Sequence, residues 1–197
     1  IFLFGIGGLT GLFLGSISTN INLHDTYFII AHFHLVMVGS VLSAFLGAVH
    51  YWWPKMTGRM YNENWGRFAS LLVFVGFMVT FMPQFVAGTK GMPRRYAQYA
   101  TFGAEYQQFN TISTIGALIL GLGLLITLIY LIHSLFKGRK APDNPWGAST
   151  LEWQSTSPPD PHNFAEAPTM VQPYDFTKLR YVSEDAGWVR TDIKKHH

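Results

Sequence analysis

Cysteine is absent from the chain, which excludes a disulfide, an iron–sulfur cluster, a covalently attached c-type haem and a thiolate-bound copper. Any redox cofactor would have to be held by histidine, methionine or oxygen ligands. Charge is the second shortage. Asp, Glu, Lys and Arg make up 13% of the 197 residues, against roughly 25% in an ordinary soluble domain. The shortage is uneven: 10 of the 25 lie in 1–137 and 15 in 138–197, so an apolar body precedes a polar tail. Within the body the stretches 1–24, 26–54, 68–89 and 106–136 carry none, and each exceeds the roughly 20 residues that cross a bilayer as helix. This excludes a soluble globular domain, a nucleic-acid binder and a disordered tail protein as descriptions of the whole. The isoelectric point near 9.2 comes from short basic clusters beside apolar runs, a placement that suits membrane orientation better than polyanion binding.

The pattern predicts an all-α membrane protein with four transmembrane helices, over about 1–17, 27–53, 68–87 and 111–136, and an extended polar C-terminal tail over 138–197. The first span is rich in glycine (Gly5, Gly7, Gly8, Gly11 and Gly15), which lets helices pack closely in lipid. The polar turn Ser18-Thr19-Asn20 is expected to end it. The second is expected to stop at Pro54, because the residue before proline is pushed out of helical geometry. Tyr51, Trp52 and Trp53 then form an interfacial aromatic belt. Pro83 predicts a kink near the end of the third. With 7 of the 10 prolines, the tail is expected to lie along the inner face of a larger partner.

Orientation follows from the charges near the membrane. The loop at 54–67 and the tail carry Lys55, Arg59, Arg67, Lys137, Arg139 and Lys140, while the other side carries Lys90, Arg94 and Arg95. The positive-inside rule puts the former group in the cytoplasm or matrix. His24, Asp25, Arg94 and Arg95 are therefore expected at one outer face. Because the chain begins at Ile1 inside an apolar run, without an initiator Met or a basic leader segment, it is expected to be a piece of a longer membrane protein.

Two histidines, His32 and His34, lie within an otherwise uncharged span. Intramembrane ionisable groups are costly and usually functional. Two positions apart on a helix means about 200° of rotation and about 3 Å of rise. The two imidazoles therefore point to opposite flanks at nearly one depth, about 9 to 12 Å below the outer surface, and cannot share one metal ion. Each could serve a separate cofactor with Phe33 between them. On spacing alone, histidines that only hydrogen-bond to neighbouring helices remain an equal reading. Likewise His24 and Asp25 could be a plain surface turn, and Arg94 and Arg95 could merely snorkel.

Several rare motifs in one order carry a resemblance. His24-Asp25-Thr26-Tyr27, Ala31-His32-Phe33-His34, Gly91-Met92-Pro93-Arg94-Arg95-Tyr96 and Asn110-Thr111-Ile112-Ser113 resemble the signature segments of haem–copper oxidase subunit I, in the cytochrome c oxidase branch. In the tail, Asn144-Pro145-Trp146-Gly147, Leu151-Glu152-Trp153 and Pro161-His162-Asn163-Phe164 resemble the bacterial aa-type form. The resemblance covers roughly the last third of such a subunit, the last four of twelve helices. It implies that His32 ligates the high-spin haem iron where oxygen is reduced and His34 the low-spin haem iron, both haems being haem A. Arg94 and Arg95 would pair with haem propionates, and His24 and Asp25 would help bind magnesium or manganese.

The copper ligands, the second low-spin ligand and the proton-channel residues would belong to earlier helices, so this stretch alone is expected to be inactive. Partners implied are the remaining helices of subunit I, subunits II and III, cytochrome c as donor and membrane lipid, in a bacterial plasma membrane. Oxygen reduction to water would be coupled to proton translocation. The chain departs from the family pattern at Asn20, where an acid is usual, and at Phe85, where histidine is frequent. Pro93 and the tail motifs favour a cytochrome c donor over a quinol oxidase of the same superfamily. A di-haem cytochrome b anchor, the remaining alternative, normally spreads paired histidines over several helices. His196 and His197 receive no role.

Overall fold

The computed structural model describes residues 1–99, 101–164, 168 and 172–192; His196 and His197 lie outside them. Helix α1 runs Phe2–Gly15 and α2 Ile17–Leu23. Helix α3 covers Tyr27–Thr57, α4 Glu63–Thr89 and α5 Glu105–Lys137. A hairpin in the tail pairs β1, Leu179–Ser183, with β2, Gly187–Arg190. By length and apolarity α3, α4 and α5 can each cross a membrane, and α1 with α2 forms a fourth, broken candidate. Three of the four expected spans are therefore single helices long and apolar enough to cross, and the first is met only if the bent pair counts as one span.

The first span differs from expectation. Helix α1 stops at Gly15, and α2 leaves it at 103°, running straight through Ser18-Thr19-Asn20. The break lies at Ser16, whose backbone is extended at φ −90°, ψ 120°. Thr19 Oγ1 donates to Ser16 O at 3.1 Å and also to Phe13 O, satisfying carbonyls that the bend frees. Serine and threonine favour such local bonds over an uninterrupted ladder.

The second span passes through Pro54 and ends at Thr57. Proline forfeits one donor, but here its ring is fully buried. The stop is Gly58, at φ +68°, whose N–H bonds to Pro54 O at 2.9 Å. A glycine in the left-handed region is a common helix terminator. Between His34 and Leu42 the same helix widens into a π-helical segment, a feature frequent near functional sites. Helices α4 and α5 extend beyond the apolar runs at both ends, and Pro83 lies inside the unbroken α4.

The chain divides into two compact units, Ile1–Gly47 with Asn64–Leu128 and Ala48–Glu63 with Ile129–His197. In the first, Leu3, Phe28, Ala31, Leu35, Val73, Phe77, Phe81 and Phe85 form the core. Helix contacts there are made at glycine. A Cβ on Gly76 would lie 2.5 Å from Leu120 N, one on Gly123 would lie 3.0 Å from Val73 N, and one on Gly116 would run into the backbone of Thr80. Helices α4 and α5 therefore touch backbone to backbone.

The second unit contains the tail, and there the expectation of a merely extended segment fails. Lys55, 8% exposed, donates to Asp143 O at 2.9 Å, Ser155 O at 2.8 Å and Thr156 O at 3.2 Å, and its Nζ lies 5.3 Å from the ring centre of buried Trp153. Asn144 Nδ2 donates to Ala148 O and its Oδ1 accepts from Ala148 N. Its own carbonyl takes the N–H of Trp188, from the hairpin. Arg190, with a fully buried side chain, donates to Ser149 O, Gln172 O and the Asp192 carboxylate. Seven prolines work against long helix here, and the described part of the tail has the short 3-10 turns Leu151–Trp153 and Phe176–Lys178; the polar anchors fix its path.

Gly76→Val is expected to destabilise the intact subunit, because inserted bulk at a backbone contact costs about 1–3 kcal/mol. Thermal unfolding in detergent checks this; a melting point equal to that of the parent would show that α4 and α5 do not touch at Gly76.

Candidate functional site

Thr26 starts α3. Its hydroxyl accepts from Phe28 N at 3.3 Å and donates to Leu23 O at 2.7 Å, as expected of a threonine N-cap. Asp25 precedes it at φ +58°, a conformation that Asp and Asn tolerate better than most side chains. This turn receives the segment after α4 as a short antiparallel pairing. Tyr27 N donates to Met92 O and Arg94 N to Asp25 O, each at 3.0 Å, around a Thr26–Pro93 bridge. Gly91 makes the turn at φ +86°, fully buried Met92 anchors the segment against Ala87 and Tyr106, and a Cβ on Gly88 would collide with the Phe28 backbone.

Residues some 70 positions apart thus meet. Arg94 Nε donates to Asp25 Oδ1 at 2.9 Å, and its Nη2 bonds to the same oxygen. His24 Nε2 stands 3.3 Å from Asp25 Oδ2. The Arg94 hydrogen bond holds the Asp25 carboxyl below the usual carboxylate range, with His24, Arg94 and Arg95 adding charge in the same direction against a desolvation cost. Arg95 is exposed, in the left-handed region at φ +70°, and its guanidinium has no partner among the described residues. No group of three or more His, Cys, Asp or Glu converges anywhere among them, so His24 and Asp25 can supply only part of a metal shell.

His32 and His34 face different neighbours. His32 Nδ1 lies 2.8 Å from Gly7 O and 3.1 Å from Thr10 Oγ1, both on α1. His34 Nδ1 lies 2.8 Å from Ile30 O on its own helix, and its ring stacks on Phe81 of α4 with centroids 4.7 Å apart. The opposite flanks expected from helix geometry are therefore occupied by different helices. A carbonyl can only accept, so in each neutral ring Nδ1 carries the proton and Nε2 keeps its lone pair. Neither Nε2 has a hydrogen-bond partner among the described residues. An imidazole with one nitrogen fixed by a carbonyl and the other free is a donor that a haem iron accepts as axial ligand, so these residues fit that group.

Sequence reasoning missed Gly7, Thr10 and Phe81 as partners of the histidines. The Gly7 and Gly11 spacing in α1 was a signal of close approach; nothing local marked Phe81. Phe85, at the position where the resembling family often has histidine, is a core residue packed edge-on against Phe28 at 4.9 Å.

A family model described as Cytochrome C and Quinol oxidase polypeptide I matches residues 1–119. The chain is 46% identical over 191 residues to cytochrome c oxidase subunit 1 of Synechocystis sp., covering 96% of this chain and 34% of that protein. It is 45% identical to cytochrome c oxidase subunit 1 of Bacillus sp. strain PS3, over 84% of this chain and 27% of that one. Heme-copper oxidase subunit I+III of Aeropyrum pernix is 43% identical, over 93% and 22%. Among solved structures, a chain of a heme-copper terminal oxidase dimer superposes with a TM-score of 0.62 at 25% identity, over 71% of this chain and 26% of that chain. The chain spans about a third or less of the curated relatives it matches.

Because the Asp25 pKa is lowered by folding, the stabilisation from its ion pair is complete above the unfolded pKa and is lost as pH falls through the folded one. The stability difference between the parent and Asp25→Asn should therefore stay constant from neutral pH into mild acid and vanish only below the usual carboxylate range. Arg94→Gln should move that loss to higher pH. Melting curves against pH check both; a difference already declining near pH 6 would contradict the pairing.

Proposed function

The chain belongs to the cytochrome c and quinol oxidase polypeptide I family, the heme-copper oxidase subunit I, and we propose that it supplies one axial ligand to each of two haems. His32 serves the high-spin haem and His34 the low-spin haem. One observation carries the reading: each imidazole has its Nδ1 proton tied to a backbone carbonyl, Gly7 O or Ile30 O, on a different flank of α3. Carbonyl bonds of this kind fix the tautomer and ring orientation and raise the basicity of the ligating nitrogen.

When bound, the haems carry electrons and, with copper held by the rest of the subunit, supply the centre at which oxygen is reduced to water. This chain's own residues bind and orient. Phe81 stacks on His34 and so limits rotation of its ring. Arg95, exposed and unpartnered among the described residues, is available to a haem propionate. Arg94 joins it while also holding Asp25, and an arginine has donors enough for both. His24 and Asp25 help bind magnesium or manganese, as part of a shell that needs further ligands. These groups share one end of α3, which is the outer face, and the tail is cytoplasmic.

The names of the Synechocystis and Bacillus relatives favour a cytochrome c oxidase; a bacterial plasma membrane, haem A, cytochrome c as donor and proton translocation as the coupled work complete the proposed reading. Within it the chain forms the last four helices of a twelve-helix subunit, assembled with subunits II and III. A quinol donor is the alternative inside the family; family membership removes the cytochrome b anchor. The stretch alone is inactive, since the copper ligands and the second low-spin ligand lie elsewhere in the subunit.

In the complete oxidase, His34→Ala is expected to abolish the low-spin haem band and to leave carbon monoxide binding at the high-spin iron. His32→Ala is expected to do the reverse. Optical spectra of the two assembled variants decide; loss of the same single band in both, or a silent variant, would overturn the assignment to separate haems.

A further inference from the structure

His32 is held by more than the carbonyl that fixes its tautomer. Its Nδ1 lies 2.8 Å from Gly7 O and 3.1 Å from Thr10 Oγ1, and the Thr10 hydroxyl donates to the same Gly7 O at 2.7 Å. These three atoms close a triangle on one face of α1. Gly11, next in the chain, clears the ring edge: a Cβ there would lie 2.9 Å from His32 Cε1. Since the Thr10 hydroxyl gives its proton to Gly7 O, its oxygen presents lone pairs to the Nδ1–H, which is then shared between two acceptors. Two acceptors draw that proton outward and leave more electron density at Nε2. Second-shell partners of metal-bound histidines tune their ligands in this way.

Many helical threonines bond back to a carbonyl of the preceding turn with no further consequence. Thr80 to Gly76 O at 2.6 Å and Thr127 to Gly123 O at 2.9 Å are examples in this chain. Thr10 makes the same backward bond and has in addition the ring nitrogen of a histidine on another helix.

We infer that Thr10 is a positioning residue for the high-spin haem, its hydroxyl orienting His32 and raising the donor strength of His32 Nε2. This rests on the assignment of His32 as an axial ligand and adds the side chain that sets how strongly that ligand donates. Loss of the hydroxyl weakens the donor, which favours the reduced iron.

The test compares Thr10→Ala, which removes the hydroxyl without adding bulk, with Thr10→Ser, which restores it, both in the complete oxidase. In Thr10→Ala the iron–imidazole stretching band of the reduced high-spin haem should move to lower frequency and its midpoint potential should rise. The low-spin haem should be unmoved, and Thr10→Ser should restore both readings. An unchanged band and potential in Thr10→Ala overturn the inference, as do changes that Thr10→Ser fails to reverse. If Thr10→Ala does not assemble, Thr10→Val carries the same readings. His32→Ala, measured in parallel, separates the two levels. A lost high-spin haem there beside a silent Thr10→Ala refutes the role of Thr10 alone, whereas a retained high-spin haem refutes the ligand assignment itself.

Discussion

Backbone-to-backbone contact between helices, opened by glycine, is the constraint on which the rest of the first unit depends. Within a membrane the hydrophobic effect does not drive helices together, so packing and hydrogen bonds must. Gly7 meets the backbone of Val36, Gly88 that of Phe28, and Gly76 that of Leu120. The first two approaches also place something polar. With α1 against α3 at Gly7, the carbonyl of that same residue reaches His32. With α4 against α3 at Gly88, the segment after α4 falls beside Thr26, and Arg94 meets Asp25. A side chain at either glycine would move a functional group as well as a helix.

The spans were legible because absence of charge over twenty or more residues has few other meanings. Their ends were less so. Pro54 looks like a stop, but the first missing hydrogen bond of a proline is tolerable where the ring is buried, and the real stop is the left-handed Gly58. Ser16 carries no stop signal in sequence, yet the chain turns there, since the Thr19 hydroxyl caps the freed Phe13 and Ser16 carbonyls locally. The opposite flanks of His32 and His34 were legible from helical period, and the meeting of His24, Asp25 and Arg94 at one end of α3 from the order of spans and loops. Which neighbour each ring touches was not, because Thr10 and Phe81 are brought by other helices and carry no local mark.

The tail shows how polar contacts substitute for periodicity. Two enclosed cations, of types seldom fully buried, hold it: Lys55 of α3 donates to the Asp143, Ser155 and Thr156 carbonyls, and Arg190 of the hairpin donates to the Ser149 and Gln172 carbonyls as well as to the Asp192 carboxylate. A proline-rich chain has many carbonyls that no helix or sheet can satisfy. A buried cation answers several at once and orders a segment that no apolar stripe would. Composition reveals the surplus of carbonyls; it does not reveal which cation answers them.

The widening of α3 begins at His34, and that position has a physical reason. The His34 side chain bonds back to Ile30 O through Nδ1, while its backbone N–H is shared between Ile30 O and Ala31 O. Ile30 O therefore receives two donors from one residue. Side-chain bonds to the carbonyl one turn back compete with the ladder and bend helices, and the ladder past this point runs as π-helix to Leu42. Within the widened stretch Leu35 and Gly39 still turn inward, with Leu35 fully enclosed. A Cβ on Gly7 would sit 2.9 Å from Val36 N, so the fit of α1 against the π-helical segment is set there. The bond that fixes the His34 ring and the winding that seats α1 beside His32 are thus consecutive features of one helix, and altering the first strains the second.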